Sequence, residues 1–273
     1  MSKPNEEQPV DELPDALKGR RKLEPTETFC FACNPSVPCF TDCCRDINIM
    51  LTPVDVLRMA RQVGLTTGDF LDTHTLLPIT KDLHLPVVML KMGADDEKRC
   101  PFVTDKGCGI YESRPWSCRM YPVASAMPPA RAGVQPEAVY FLSEDDFCKG
   151  RTFDTEWTVE SWRADQNIDE QEELEAGFRE LVSHPWFIGG RALNAKQMEA
   201  FFTACYDLDN FRRFVLESSF TSRFVMPDSL VEKLKTDDDE LLRFGYRWMR
   251  FALFGEPTMQ TIAEAEGEAD GKG

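Results

Sequence analysis

Nine of the ten cysteines in this 273-residue chain fall between Cys30 and Cys148, and five sit in the fifteen residues CFACNPSVPCFTDCC, Cys30 to Cys44. Thiols gathered this way bridge one another, pack as small hydrophobes, or hold a metal as thiolates. Metal binding needs several sulfurs within about 2.3 Å of one ion, delivered by short loops that can wrap it. The chain supplies such loops in CNPSVPCFTDCC, in CPFVTDKGC (Cys100 and Cys108), in CGIYESRPWSC (on to Cys118) and in DFCKGR (Cys148). Each is bounded by Gly or Pro, which allow tight backbone bends.

Adjacent Cys43 and Cys44 project to opposite sides of an extended backbone, which suits a polynuclear cluster or two separate sites better than one tetrahedral ion. Nine thiols also exceed the need of one zinc. The count is consistent with two four-thiolate sites or with one iron–sulfur cluster beside spare structural thiols. The competing chemistry is thiol exchange by the pair in CFAC, but no βαβ pattern surrounds that pair. Cys205 lies on an apolar helical face and reads as a core residue.

The histidines His74, His84 and His184 are isolated and read as structural or exposed, with His84 the best placed for a nitrogen ligand. Asp42 and Asp46 flank the paired cysteines and read as solvated loop carboxylates. Arg114, Arg119, Arg131, Lys149 and Arg151 gather near the later cysteines and read as solvent-facing charge.

The composition narrows the setting. A formal net charge of -16 and a pI near 4.7 argue against nonspecific nucleic-acid binding, which needs clustered Lys and Arg. No run approaches the ~18 apolar residues of a membrane span, and the N-terminal stretch has no apolar run of signal-peptide length. The expected compartment is the cytoplasm, where thiols stay reduced.

The elements that must position these thiols define an α+β chain. A small cysteine-rich half with short strands and helices precedes a mainly helical half. The expected division is a disordered acidic, proline-rich segment over 1–27, a cysteine-cluster domain over 28–152, a helical region packed on it over 153–256, and a disordered acidic tail over 257–273. LTPVDVLRMARQVG reads as a helix with Thr52 as N-cap, Pro53 at its first position and Gly64 as stop. TTGDFLDTHT restarts a short helix, with Thr66 and Asp69 spaced as a capping box. LPVVMLKM and RCPFV read as paired strands around the turn GADDEK, and AVYFL as a further strand. IYESRPWSCRMYP reads as a short helix or turn. Three longer helices are expected: one through VESWRADQNIDEQEELEAGFRELVSH with Leu174, Phe178, Leu181 and Val182 on one face, one through NAKQMEAFFTACYDLDNFRRFVLESS with Phe201, Cys205 and Leu208, and one through DDDELLRFGYRWMRFALFG with Leu241, Phe244, Trp248 and Phe251. IGGR at 188–191 reads as a turn, and no G-x-G-x-x-G loop is present.

Several of these residues carry a resemblance. A loop ending in paired cysteines, then INIMLTPVDVLRMA, RCPFV, CGIYESRPWSCRMYP and a later C-K-G resembles the YkgJ-type cysteine-cluster family, whose members are described as zinc- or iron-chelating domains. The segment Cys108–Arg119 is the most specific part, and the resemblance spans residues 33 to about 150. It implies Cys33, Cys39, Cys43, Cys44, Cys100, Cys108, Cys118 and Cys148 as metal ligands and zinc or an iron–sulfur cluster as the metal group. The opening here is wider than in many members, with five and then three residues between thiols and no glycine before the pair; Cys30 could substitute for Cys33. On this reading Arg114 and Arg119 serve the thiolates as charge-balancing neighbours.

The same domain type occurs in flagellin lysine N-methylases. That kinship implies a second reading: an iron–sulfur, S-adenosylmethionine-dependent lysine N-methyltransferase-like enzyme, with Tyr111, Glu112, Trp116 and Tyr121 lining its groove. Trp116 and Tyr121 read equally as core. No acid–base dyad or nucleophile–His pair stands out, so catalytic residues are not assigned. A third reading, an adaptor docking a protein partner through its acidic surface and aromatic helices, names no partner.

Overall fold

A computed structural model of the protein describes residues 20–78, 85–127, 137–187 and 190–265. His84, Arg131 and part of IGGR lie outside these residues. The protein is a mixed α+β molecule with a helical C-terminal half. Its contacts divide it into two units, each made of two separate stretches of chain. One holds residues up to Cys43 together with Cys118–Ile168, and the other holds Cys44–Ser117 together with residues 169 onward.

The first unit is built on short antiparallel strands. β1 (Arg21–Leu23) pairs with β9 (Val139–Leu142), which pairs with β8 (Val123–Ala126). β2 (Thr28–Cys30) pairs with β10 (Glu156–Thr158). β1 falls inside the segment expected to be disordered to residue 27. Three ladder pairs and burial of Leu23, 1% exposed, order it, although one leucine among charged neighbours is too weak a signal to read from sequence. The core is aromatic: Trp162 of α4 (Val159–Asp165) packs edge-on to Phe31 at 5.4 Å and to Trp157 at 5.1 Å. Its indole Nε1 donates to the carbonyl of Met120 at 3.0 Å, so burying the ring leaves no orphaned donor.

The second unit opens with α1 (Pro53–Val63), whose ends follow the sequence signals. Thr52 and Asp55 exchange capping-box hydrogen bonds, and Gly64 closes the helix at φ +73. α2 (Thr67–His74) has Thr66 as N-cap, and the Thr66 hydroxyl donates to the Asp69 carboxylate at 2.7 Å. β5 (Val88–Leu90) lies between β3 (Met50–Leu51) and β4 (Thr75–Leu76). RCPFV is therefore not its partner. Instead β6 (Val103–Thr104) turns back onto β7 (Gly107–Cys108), because the Thr104 side chain and the DKG turn close a tighter local hairpin.

The helices after residue 158 differ from the sequence reading in number. The first expected helix is three: α4, α5 (Ile168–Leu174) and α6 (Ala176–Val182). Asn167, at φ +51, ends α4, as an asparagine can in the left-handed region. Leu174 and Leu181 are buried, but Val182 is exposed. The second expected helix is two, α7 (Ala195–Cys205) and α8 (Leu208–Glu217), because Asp207 caps a new start by accepting from the Asn210 N–H. Phe201, Cys205 and Leu208 are all buried as read. α9 (Asp228–Thr236) was not legible, since Leu234 is its single buried residue. α10 (Asp238–Phe254) runs as expected, with Leu241 and Phe244 buried and Gly255 ending it at φ +70. Residues 260–262, inside the stretch expected to be a disordered tail, are held by Val225 N–H to the Gln260 carbonyl (2.9 Å) and Ile262 N–H to the Arg223 carbonyl (3.0 Å).

Candidate metal-binding thiols

In the second unit, backbone pairing joins the segments of three cysteines. The stretches 44–46 and 98–100 run antiparallel: Cys100 N–H donates to the Cys44 carbonyl at 2.8 Å, Arg45 bridges Arg99, and Asp46 N–H donates to the Lys98 carbonyl at 3.0 Å. The chain then turns through Pro101, with Val103 N–H on the Cys100 carbonyl at 3.1 Å, and enters the hairpin whose return strand ends at Cys108 opposite Val103. Cys100 and Cys108 stand close enough for their charges to interact.

Backbone N–H groups aim at both sulfurs. Phe102 and Val103 direct theirs at Cys100, and Ile110 directs its own at Cys108. Burial pushes both thiols above the ordinary value; these N–H groups, and for Cys108 the Arg114 guanidinium, pull them back. Arg114 is buried, lies over the Tyr111 ring at 3.6 Å, and donates to the Tyr111 carbonyl at 2.6 Å. It is therefore not the solvent-facing charge expected from its neighbourhood. Arg119 departs in the same way: it is buried in the first unit, with Nη1 donating to the Gln166 carbonyl at 2.9 Å. Burial is the largest effect at both sulfurs, so the net direction favours the neutral thiol, and the fixed donors offset it in part.

In the first unit the loop after β2 winds through successive turns, with Val37 N–H on the Asn34 carbonyl, Phe40 N–H on Val37 and Asp42 N–H on Cys39. Buried Val37 anchors it. Cys39 Sγ accepts the Lys149 N–H at 3.0 Å, so this thiol abuts the peptide that follows Cys148. Cys148 is buried, and the Tyr121 hydroxyl lies beside it. Burial first, and then Cys148 and Asp145, hold that phenol above its ordinary range. Cys43 lies in a 3-10 turn (Asp42–Cys44) and Cys118 in α3 (Trp116–Met120), both half-buried, while Cys33 is exposed. Cys30 is in β2, opposite Glu156. No disulfide joins any of the ten cysteines, and Cys205 is fully buried in the helical region. Among the described residues, no three His, Cys, Asp or Glu side chains stand together where they could hold a metal ion.

The family described as "CxxCxxCC: Putative zinc- or iron-chelating domain" matches residues 32–149. The match covers less than half of the chain. The YkgJ-type family is the same domain, so the resemblance read from the sequence holds. No curated protein and no solved structure gives a significant match. Within the match the opening is wider than the two-residue spacing in the family's title, with five residues between Cys33 and Cys39 and three between Cys39 and Cys43, and Cys30 lies outside it.

The glycine that follows this domain has a packing reason. Gly150 ends C-K-G, and a Cβ built on it would lie 2.3 Å from the Ala32 carbonyl oxygen and 2.9 Å from the Phe31 ring. Ala32 N–H also donates to the Gly150 carbonyl at 3.0 Å, so this close approach carries the cysteine loop to Cys148. Gly150→Ala is expected to lower stability by about 1–3 kcal/mol through overpacking. Urea unfolding followed by tryptophan fluorescence measures it, and a wild-type midpoint would show that strand and loop can separate freely.

A buried acid pair in the second unit escaped the sequence reading. Asp55, read only as a helix residue, is 2% exposed, and Glu175 is 5% exposed. Asp55 accepts from the N–H groups of Thr52 (3.0 Å) and Trp116 (2.8 Å) and from Gln171 Nε2 (2.7 Å). It thereby caps the start of α3. Glu175 accepts from Gln171 Nε2 at 3.1 Å and from the Thr52 hydroxyl. Burial, and then the charge of Asp55, raise Glu175 to about 7. Carboxylates 120 positions apart in sequence leave no signal by spacing.

Among the remaining singled-out residues, Asp46 is exposed and pairs with Lys98 at 2.8 Å. His74 ends α2 against Phe102, with ring centroids 5.0 Å apart. Tyr111 is exposed, and Trp116 Nε1 donates to Glu172 at 3.2 Å. No helix among the described residues is long and apolar enough to cross a membrane.

Proposed function

We propose that this protein binds zinc or iron through cysteine thiolates carried on its short loops. The ligands on this reading are Cys33, Cys39, Cys43, Cys44, Cys100, Cys108, Cys118 and Cys148. When bound, the metal replaces the thiol protons and cross-links segments distant in sequence, so binding free energy adds to folding free energy. The observation that carries the reading is the set of fixed donors around sulfur: three backbone N–H groups on Cys100 and Cys108, with Arg114 facing Cys108.

The test is elemental analysis of protein purified with and without oxygen, together with its absorption spectrum. Zinc in a colourless protein identifies a structural thiolate site, and iron with sulfide and absorbance near ~400 nm identifies a cluster. Protein that carries neither metal after both preparations, and takes up neither when offered, would reject the proposal.

A further inference from the structure

A pocket of about 260 Å³ lies in the helical part of the second unit, between the end of α8, the loop 218–224 and the last turns of α10. Its walls are rings: Phe214, Phe220, Phe224, Trp248 and Phe251. The rings hold one another in place, with centroids 5.3 Å apart for Phe214–Trp248, 4.7 Å for Phe220–Phe224 and 5.6 Å for Phe224–Phe251. Nothing in the chelating-domain match reaches this region, since the match ends at residue 149.

The charge at this pocket is the informative feature. Arg223 lines it and is exposed. Among the described residues its guanidinium enters no hydrogen bond or ion pair, although its backbone is fixed through Phe220 and Ile262. Two arginines of the adjoining α10 are paired: Arg247 with Glu240 at 3.2 Å, and Arg250 with Glu180 and Glu256. In a chain with 47 acidic and 31 basic residues, a cation held at the rim of an aromatic pocket without a carboxylate partner is complementary to an anion from elsewhere. A guanidinium presents a planar fork that matches a carboxylate, and apolar pockets with few polar groups bind apolar bodies through burial and orient them through the polar end.

We propose that this pocket binds a small apolar carboxylate, its aryl or alkyl body among the five rings and its carboxylate on Arg223. The volume lies at the small end of ligand pockets, so the occupant is a compact acid or the final residue of a peptide with a free C-terminus. The inference stands apart from the metal reading.

Calorimetric titration of the metal-loaded full chain tests it, with 3-phenylpropionate as probe, 3-phenylpropanol as its uncharged counterpart, and a short peptide ending in Phe with a free or amidated C-terminus. The expected result is saturable one-to-one binding of at least one carboxylate probe. Arg223→Gln should weaken it by about tenfold or more, because one charge-assisted contact is lost. Ala252→Phe, which fills the exposed side of the pocket, should abolish it. Binding of the free acid assigns a small-molecule ligand, and binding of the free-carboxylate peptide alone assigns a chain terminus. Both variants are checked for wild-type helix content and metal content. Absence of saturable binding by any carboxylate, equal binding of the alcohol, or an unchanged affinity in Arg223→Gln would overturn the proposal.

Discussion

Cys108→Ser is expected to release metal and to unfold the cysteine-bearing loops. The substituted hydroxyl stays protonated at neutral pH and is a poor ligand, whereas on the proposed reading the metal holds the Cys108 sulfur as a thiolate beside the Ile110 N–H and the Arg114 guanidinium. On the proposed reading the energetic consequence is large, because binding free energy of the metal is part of the folding free energy. Structural zinc contributes about 10–16 kcal/mol in small peptides, whereas a whole domain retains only ~5–15 kcal/mol of net stability. Losing one ligand is therefore expected to cost several kcal/mol and to leave the metal readily removed by a chelator. Cys205→Ser is the control: that thiol is 1% exposed among helices, so its replacement should cost stability and leave metal content intact. Metal-to-protein ratio and thermal denaturation separate the two outcomes. Equal metal content in Cys108→Ser and wild type would remove Cys108 from the ligand set.

The second large effect is pH-dependent. Glu175 titrates near 7 in the folded protein against an ordinary value of 4.5, so the folded state binds its proton more tightly than the unfolded chain does. Stability from this group is fully present below 4.5 and is lost as pH rises to 7 and beyond. At about 1.4 kcal/mol per unit, the loss is roughly 3 kcal/mol. Asp55 shifts in the same direction, through burial, and adds to the fall. Glu175→Gln resembles the protonated acid: its carbonyl keeps the Thr52 and Gln171 hydrogen bonds, and no charge must be buried at high pH. The variant is expected to match wild type near pH 5 and to exceed it near pH 8. Urea midpoints measured at both values with equal metal occupancy give the difference, in which other groups such as His74 cancel. Asp209, held down to about 2 by Arg61 and Thr67 against the opposing effect of burial, titrates below this window. A variant that is no more stable than wild type at pH 8 would mean that Glu175 is ionised and well solvated.

What the sequence could give was local. Thr52, Pro53 and Gly64 mark both ends of α1 because capping satisfies backbone groups within a few residues. The acidic start and the apolar stripe of α10 were legible for the same reason, as was the run Cys108–Arg119 that carries the family resemblance. Where tertiary packing competed, local signals misled. RCPFV looked like the partner of the 85–92 strand, but β3 and β4 occupy both edges of that strand. Arg114 and Arg119 looked like surface charge, yet their guanidiniums are buried against carbonyls.

The sequence by itself determined that many thiols sit on short, turn-rich loops in a chelating-type domain, since residue type and spacing are properties of the chain. Only the tertiary structure decided which thiol segments adjoin, which amides face their sulfurs, how Asp55 meets Glu175, and where five rings and Arg223 form a pocket. Those relations depend on backbone hydrogen bonds and packing between segments up to 120 positions apart, and no local pattern encodes them.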